Sequence, residues 1–163
     1  MKKVAMISIL LLLAHNAFAI CDTWTQSRSS YSGSGNVTDT SISCGDDAWS
    51  FGSGNSYRQA SFTVTSVQNA SNWFIGSYVY FTSPGGTPSD NFEIDIDVTH
   101  PDYSVSRYTL MYWSGAYGSL TDCGIHSRYF TANVGDSVLV TIRASNSGSA
   151  TIIVSTPRIY NCS

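Results

Sequence analysis

The chain has 163 residues, 42% hydrophobic and only 12% charged, with a formal net charge of −3. Both lysines fall within the first three residues, which leaves six arginines against eleven acids, a balance of −5. That balance argues against nucleic acid or an anionic membrane as the main partner.

The first element is a targeting segment. Lys2 and Lys3 form a positive start, Val4 to Leu13 is apolar, and Ala17-Phe18-Ala19 has the small-x-small cleavage pattern of a secretory signal peptide. The apolar run is shorter than the roughly 20 residues of a membrane span. Residues 1–19 are therefore expected to be a signal peptide and residues 20–163 a single domain. The short Lys-Lys start looks bacterial, so the expected location is secreted or periplasmic. Sequons at Asn36, Asn69 and Asn161 matter only in a host that glycosylates.

From Thr25 to Tyr57 the chain is rich in Ser, Gly and Tyr, which suggests a loose N-terminal hairpin held by Cys44. A strand is expected at residues 36–44. Beyond it, alternation takes over. Ser61 to Val67 puts Phe62 and Val64 on one face. In Trp73 to Thr82, Trp73, Ile75, Val79 and Phe81 share one face, and Phe74, Tyr78 and Tyr80 the other. Asn91 to Thr99 alternates Phe92, Ile94, Ile96 and Val98 against Asn91, Glu93, Asp95, Asp97 and Thr99. Strict alternation over Val105 to Ser114 would place Tyr108, Leu110 and Tyr112 together. Further strands are expected at residues 125–131, 137–145 and 150–155. Turn residues punctuate the series at Ser32-Gly33-Ser34-Gly35, Ser83-Pro84-Gly85-Gly86, His100-Pro101-Asp102 and Ser145-Asn146-Ser147-Gly148. About nine strands at such spacing predict an all-β, antiparallel sandwich of jelly-roll or concanavalin-like type.

Cys21, Cys44, Cys123 and Cys162 make an even number in an exported chain, which reads as two disulfides. Pairing in sequence order and pairing of the two terminal cysteines are level alternatives, with the crossed pairing behind. The spacing does not suit zinc. Lipidation of Cys21 would need a small residue before it, and Ile20 is not small.

Glu93, Asp95 and Asp97 are the sharpest chemical feature. Their period of two places all three on one side of a strand. Such a row is stable when solvated, beside cations, or with a raised pKa. It therefore reads as a solvated outer face, a calcium site completed by Asp102, or a carboxyl pair for acid/base catalysis. Tyrosines beside carboxylates also suit sugars, because rings stack on apolar sugar faces and carboxylates accept hydroxyl hydrogen bonds. The candidate ligand-binding residues are Glu93, Asp95, Asp97, Trp73, Tyr78, Tyr80, Tyr108 and Tyr112. The sequence has no Gly-x-Ser-x-Gly elbow, no Walker loop and no dinucleotide fingerprint. Nothing in residue order favours a Ser-His-Asp triad. His100 reads as a turn residue and His126 as structural.

Several blocks resemble, in order over residues 60–154, the glutamic peptidase (eqolisin) family. Phe62 to Val67 resembles its Phe-x-Val-Pro-x-Val strand, with Thr65 at the proline. Trp73 to Gly76 resembles its Trp-Val-Gly segment, and Tyr108 to Trp113 its aromatic strand. Gly135-Asp136-Ser137-Val138 and Gly148 to Thr151 resemble its later Gly-Asp strand and hairpin. The resemblance implies a concanavalin-like sandwich with Glu93 at the position of the catalytic glutamine, on a concave face near Trp73. It does not supply the catalytic pair, since Glu93 replaces the glutamine and no further strand is expected after the last matched hairpin to carry the partner glutamate. The Glu-x-Asp-x-Asp order also resembles the Glu-x-Asp-x-Glu strand of laminarinase-like glycoside hydrolases.

The expected function is a secreted, non-catalytic sandwich that binds a glycan or extended polymer on one sheet face. The alternatives are a hydrolase using Glu93 with another carboxylate, and a structural or adhesive surface protein. No cofactor is expected, with calcium as the one candidate.

Overall fold

The computed structural model describes residues 21–25, 27–42, 47–67, 70–81, 90–114, 125–148 and 152–162. These residues form twelve strands: β1 Cys21–Thr25, β2 Ser32–Ser34, β3 Val37–Ser41, β4 Asp47–Phe51, β5 Gly54–Thr63, β6 Trp73–Phe81, β7 Asn91–Thr99, β8 Val105–Ser114, β9 Ile125–Phe130, β10 Ser137–Asn146, β11 Ile152–Ser155 and β12 Arg158–Cys162. Every described pairing is antiparallel. One sheet has five strands in the order β2-β5-β10-β7-β8. The other has seven, β1-β12-β6-β11-β4-β3, with β9 also paired to β6. The antiparallel two-sheet sandwich is thus as the alternation predicts. Among the described residues no helix is long and apolar enough to cross a membrane.

The two inner faces meet in a core with two centres. One gathers Trp49, Phe51, Phe92, Ile94, Ile142 and Ile152. The other gathers Trp73, Ile75, Phe62, Phe130, Ile96 and Val140. Strand β7 feeds both, because Phe92, Ile94, Ile96 and Val98 all point inward and are fully buried. Burying side chains of this size stabilises by roughly 1.5–3 kcal/mol each.

The segment from Thr25 to Tyr57 departs from expectation. Its described part is not a loose hairpin but carries β2, β3, β4 and the start of β5. Strand β4 puts Trp49 and Phe51 into the core, and Tyr31 packs edge-on against Trp49 at 4.8 Å. The Ser/Gly-rich surroundings dilute its short alternation. Cys44 and Cys123 lie outside the described residues, as do the turn expected at 83–86 and the sequon at Asn69. Asn161, of the third sequon, is buried.

Strand β6 organises its sheet. One edge pairs with β9, and the other with β12 at Trp73–Gly76 and then β11 at Val79–Phe81. The chain passes from β11 to β12 through Thr156 and Pro157, and the ring nitrogen of proline cannot donate. Ser155 bridges the gap, its Oγ accepting from Tyr78 N–H at 2.8 Å, while Ser77 Oγ–H donates to Ser155 O at 2.9 Å.

Candidate functional site

The odd-numbered residues of β7 face outward from the five-stranded sheet. Register fixes what lies beside them. Glu93 is opposite Arg143 of β10 on one side and Tyr112 of β8 on the other. Arg143 is in turn opposite Tyr57 of β5. A row Tyr57–Arg143–Glu93–Tyr112 therefore crosses four strands. The next row is Gln59–Thr141–Asp95–Thr109, and the one after it Ser61–Leu139–Asp97–Arg107.

The three acids are paired. Arg143 Nε stands 2.7 Å from Glu93 Oε1, and its terminal nitrogen donates to Asp95 Oδ2 at 3.0 Å. Thr109 Oγ1–H donates to Asp95 Oδ1 at 2.8 Å. Arg107 grips Asp97 with two bonds, of 2.7 and 2.9 Å. Hydrogen bonds from Arg107, reinforced by its charge and that of Arg143, hold the Asp97 carboxyl below the usual range despite partial burial. The same contact raises the Arg107 guanidinium.

This geometry corrects two expectations. The row is not simply solvated, since Asp95 is only 2% exposed and depends on its partners. Nor does it suit calcium, because two guanidinium groups already hold the carboxylate oxygens and would repel a cation. Among the described residues no group of three acids, histidines or cysteines could hold a metal ion. Asp102 instead closes a local turn, accepting from Ser104 N–H at 3.0 Å and from its hydroxyl.

Beside the row lies a groove of about 730 Å³. Its walls include Ser34 of β2, Asn55, Tyr57 and Gln59 of β5, Thr141, Arg143 and Ser145 of β10, and Asn91 and Asp97 of β7. Amides, hydroxyls and one ion-paired arginine supply its polar atoms, beside the apolar surface of Leu139, Ala144 and the Tyr57 ring. Tyr57 is 38% exposed and Tyr112 is 60% exposed, so each presents a ring to solvent.

The aromatic residues expected to join Glu93 are scattered. Trp73 is fully buried, and its Nε1–H donates to Ala132 O at 2.9 Å. It belongs to the inner face of the other sheet, so it is not beside Glu93. Tyr78 and Tyr80 lie on the outer face of that same seven-stranded sheet, on the opposite side of the sandwich. Tyr108 is half-buried and packs inward against Phe130 at 6.1 Å. Tyr112 alone of the expected tyrosines shares the face with Glu93, Asp95 and Asp97.

The split between Tyr108 and Tyr112 has a specific cause. Ile94 pairs with Met111 but Asp95 pairs with Thr109, so Leu110 is an extra residue in β8. This bulge reverses the parity of the strand. Before it, Arg107 and Thr109 face out; after it, Tyr112 does. Alternation alone missed Arg107, Thr109, Arg143 and Tyr57. Arg143 carried a usable signal: it continues the outward set Leu139 and Thr141 on a strand whose inward set is Val138, Val140 and Ile142.

No family model matches the chain, and no curated protein matches it. Solved structures do. The C-terminal CBM6 of LamC, a marine laminarinase from Zobellia galactanivorans, aligns with TM-score 0.51 and 17% identity over 85% of this chain and 98% of that one. The xylan-binding module CBM15 aligns with TM-score 0.52 and 14% identity over 88% and 97%. The CBM22-1 xylan-binding domain of Paenibacillus barcinonensis Xyn10C aligns with TM-score 0.52 and 11% identity over 86% and 91%. At these identities the likeness establishes the fold: the chain has the β-sandwich architecture of carbohydrate-binding modules, spanning nearly the whole of each.

Proposed function

We propose that this chain is an exported glycan-binding β-sandwich, and that a short oligosaccharide lies in the groove of the five-stranded sheet. The row Tyr57–Arg143–Glu93–Tyr112 carries the proposal. Its end rings are three inter-strand steps apart, roughly 14 Å at the usual strand spacing. Exposed rings offer stacking surfaces, and the fixed Glu93 carboxylate between them retains lone pairs for sugar hydroxyls. The described binding of xylan by two structural neighbours supports the ligand class. Tyr112→Ala and Tyr57→Ala should each weaken binding to the parent's preferred polysaccharide about tenfold in affinity electrophoresis or calorimetry, an effect of the size expected for one aromatic contact. Binding of xylan, β-1,3-glucan and β-1,4-galactan unchanged in both variants, or absent in the parent, overturns the proposal.

The signal peptide, bacterial origin and secreted or periplasmic location belong to the same reading, and the mass of the exported N-terminus tests the cleavage site. So do the disulfides. Cys21 stands opposite Cys162 between β1 and β12, and no described cysteine is a free thiol. Directly opposed antiparallel residues sit within disulfide reach. That pairing leaves Cys44 to bridge Cys123. The glutamic-peptidase likeness is the weaker reading. It needs a carboxyl partner for Glu93, whereas Glu93 is held by Arg143.

A further inference from the structure

One end of the five-stranded sheet carries a constellation separate from the groove. His100 follows the last residue of β7, Ser106 is the second residue of β8, and Asp136 directly precedes β10. Since β7 lies between β10 and β8, the three side chains converge from adjacent strands. His100 Nδ1 stands 3.0 Å from Asp136 Oδ2, and His100 Nε2 stands 3.1 Å from Ser106 Oγ. The Asp136 side chain is only 2% exposed, and its Oδ2 also accepts from Asn133 N–H at 2.8 Å. A carboxylate accepting at Nδ1 fixes the proton there, which leaves the Nε2 lone pair to accept the Ser106 hydroxyl proton.

The surroundings hold this arrangement still. His100 N–H donates to Ser104 O, and Tyr103 N–H donates to His100 O, both at 2.9 Å. Asp136 O accepts from Val64 N–H, and Gly135 N–H donates to Val64 O, again at 2.9 Å. Asp136 is buried, and His100 and Ser106 are both partly exposed. Three exposed apolar residues lie nearby in the chain: Tyr103 in the β7–β8 connection, Val105 at the start of β8 and Val134 in the β9–β10 connection.

We infer that Ser106 is an activated nucleophile, with His100 as its general base and Asp136 as the group that orients the imidazole, acting on small carboxylic esters with apolar acyl groups. The chemistry balances without a cofactor. Ser106 Oγ bonds to the ester carbonyl carbon as its proton passes to His100 Nε2. The tetrahedral adduct collapses, the ester C–O bond breaks, and the departing alcohol takes that proton. Water, deprotonated by His100, then adds to the acyl carbon, the Ser106 Oγ–acyl bond breaks to release the acid, and His100 Nε2 returns the proton to Ser106 Oγ. This activity does not depend on glycan binding.

The test is covalent labelling of the full exported chain with a fluorophosphonate, read by intact mass and peptide sequencing, together with hydrolysis of p-nitrophenyl acetate and butyrate. One adduct per chain on Ser106 is expected, with no adduct in Ser106→Ala. His100→Ala should label at least about 100-fold more slowly, the usual size of a general-base contribution. His100→Asn provides the same comparison if the alanine variant does not fold. A purely structural clamp predicts a lower melting temperature in the His100 variants but no Ser106 adduct in the parent. That result, or a Ser106 adduct that forms equally fast in the folded His100 variant, overturns the inference.

Discussion

Arg143→Met tests whether the outward face is held together by its ion pairs. Methionine keeps most of the aliphatic stem and removes the charge. Asp95 is 2% exposed, and it would lose the 3.0 Å bond from Arg143 while keeping the 2.8 Å bond from Thr109. Breaking a fully buried pair by deleting one partner costs about 3–5 kcal/mol. The Arg143 side chain is 39% exposed, so water replaces part of what is lost. A loss of about 2–3 kcal/mol is expected on that ground. In a domain of this size it lowers the melting temperature by about 4–12 °C. Asp95→Asn in the Arg143→Met background removes the uncompensated charge, so the double variant should recover about 1–3 kcal/mol relative to additivity. Urea unfolding at constant m-value measures all four corners of the cycle. A loss below about 0.5 kcal/mol in Arg143→Met, or additivity within about 0.5 kcal/mol, refutes the reasoning.

Three further outcomes follow from other contacts. Asp97 has its folded-state pKa lowered from 3.8 by Arg107, so the pair contributes stability above that value and loses it as pH falls through and below it. Because Arg107 is exposed, solvent screens the pair, and Arg107→Ala should flatten the acid limb of stability below about pH 4 while lowering stability at pH 7 only slightly. An unchanged acid limb refutes it. Trp73→Ala should cost about 3–5 kcal/mol, because it empties a fully buried site and leaves Ala132 O without its donor. A loss below about 1 kcal/mol, well under that range, contradicts the core placement. Tyr57→Ala and Tyr112→Ala should leave unfolding within about 0.5 kcal/mol of the parent while they weaken glycan binding, since both rings face solvent. A large loss of stability in either would mean that the ring serves packing.

Much of this protein is legible in its sequence because period two is a local property. Phe92, Ile94, Ile96 and Val98 must share a face wherever β7 lies, and Glu93, Asp95 and Asp97 must share the other. The same logic located β6, β8, β9, β10 and β11 to within a few residues. Short strands embedded in Ser and Gly, such as β4, and the end strands β1 and β12 gave too few alternations to stand out. Their identity comes from partners: β4 is a strand because β3 and β11 pair with it, and β12 because β1 and β6 do.

Local pattern also says nothing about which strand lies next to which. The chain alone determined that three carboxylates point together and that tyrosines are abundant. Only the tertiary structure decided that Arg143 and Arg107 neutralise those carboxylates, because strands β7, β8 and β10 are neighbours by long-range pairing. One bulge at Leu110 then reversed the parity of β8, sending Tyr108 to the core and Tyr112 to the surface. Ser106, His100 and Asp136 make the same point: they lie up to 36 positions apart, and sheet order alone brings them within hydrogen-bonding distance. Side-chain direction is written in the alternation of a strand, whereas the chemistry of a sheet face depends on register, and register is a property of the assembled sheet.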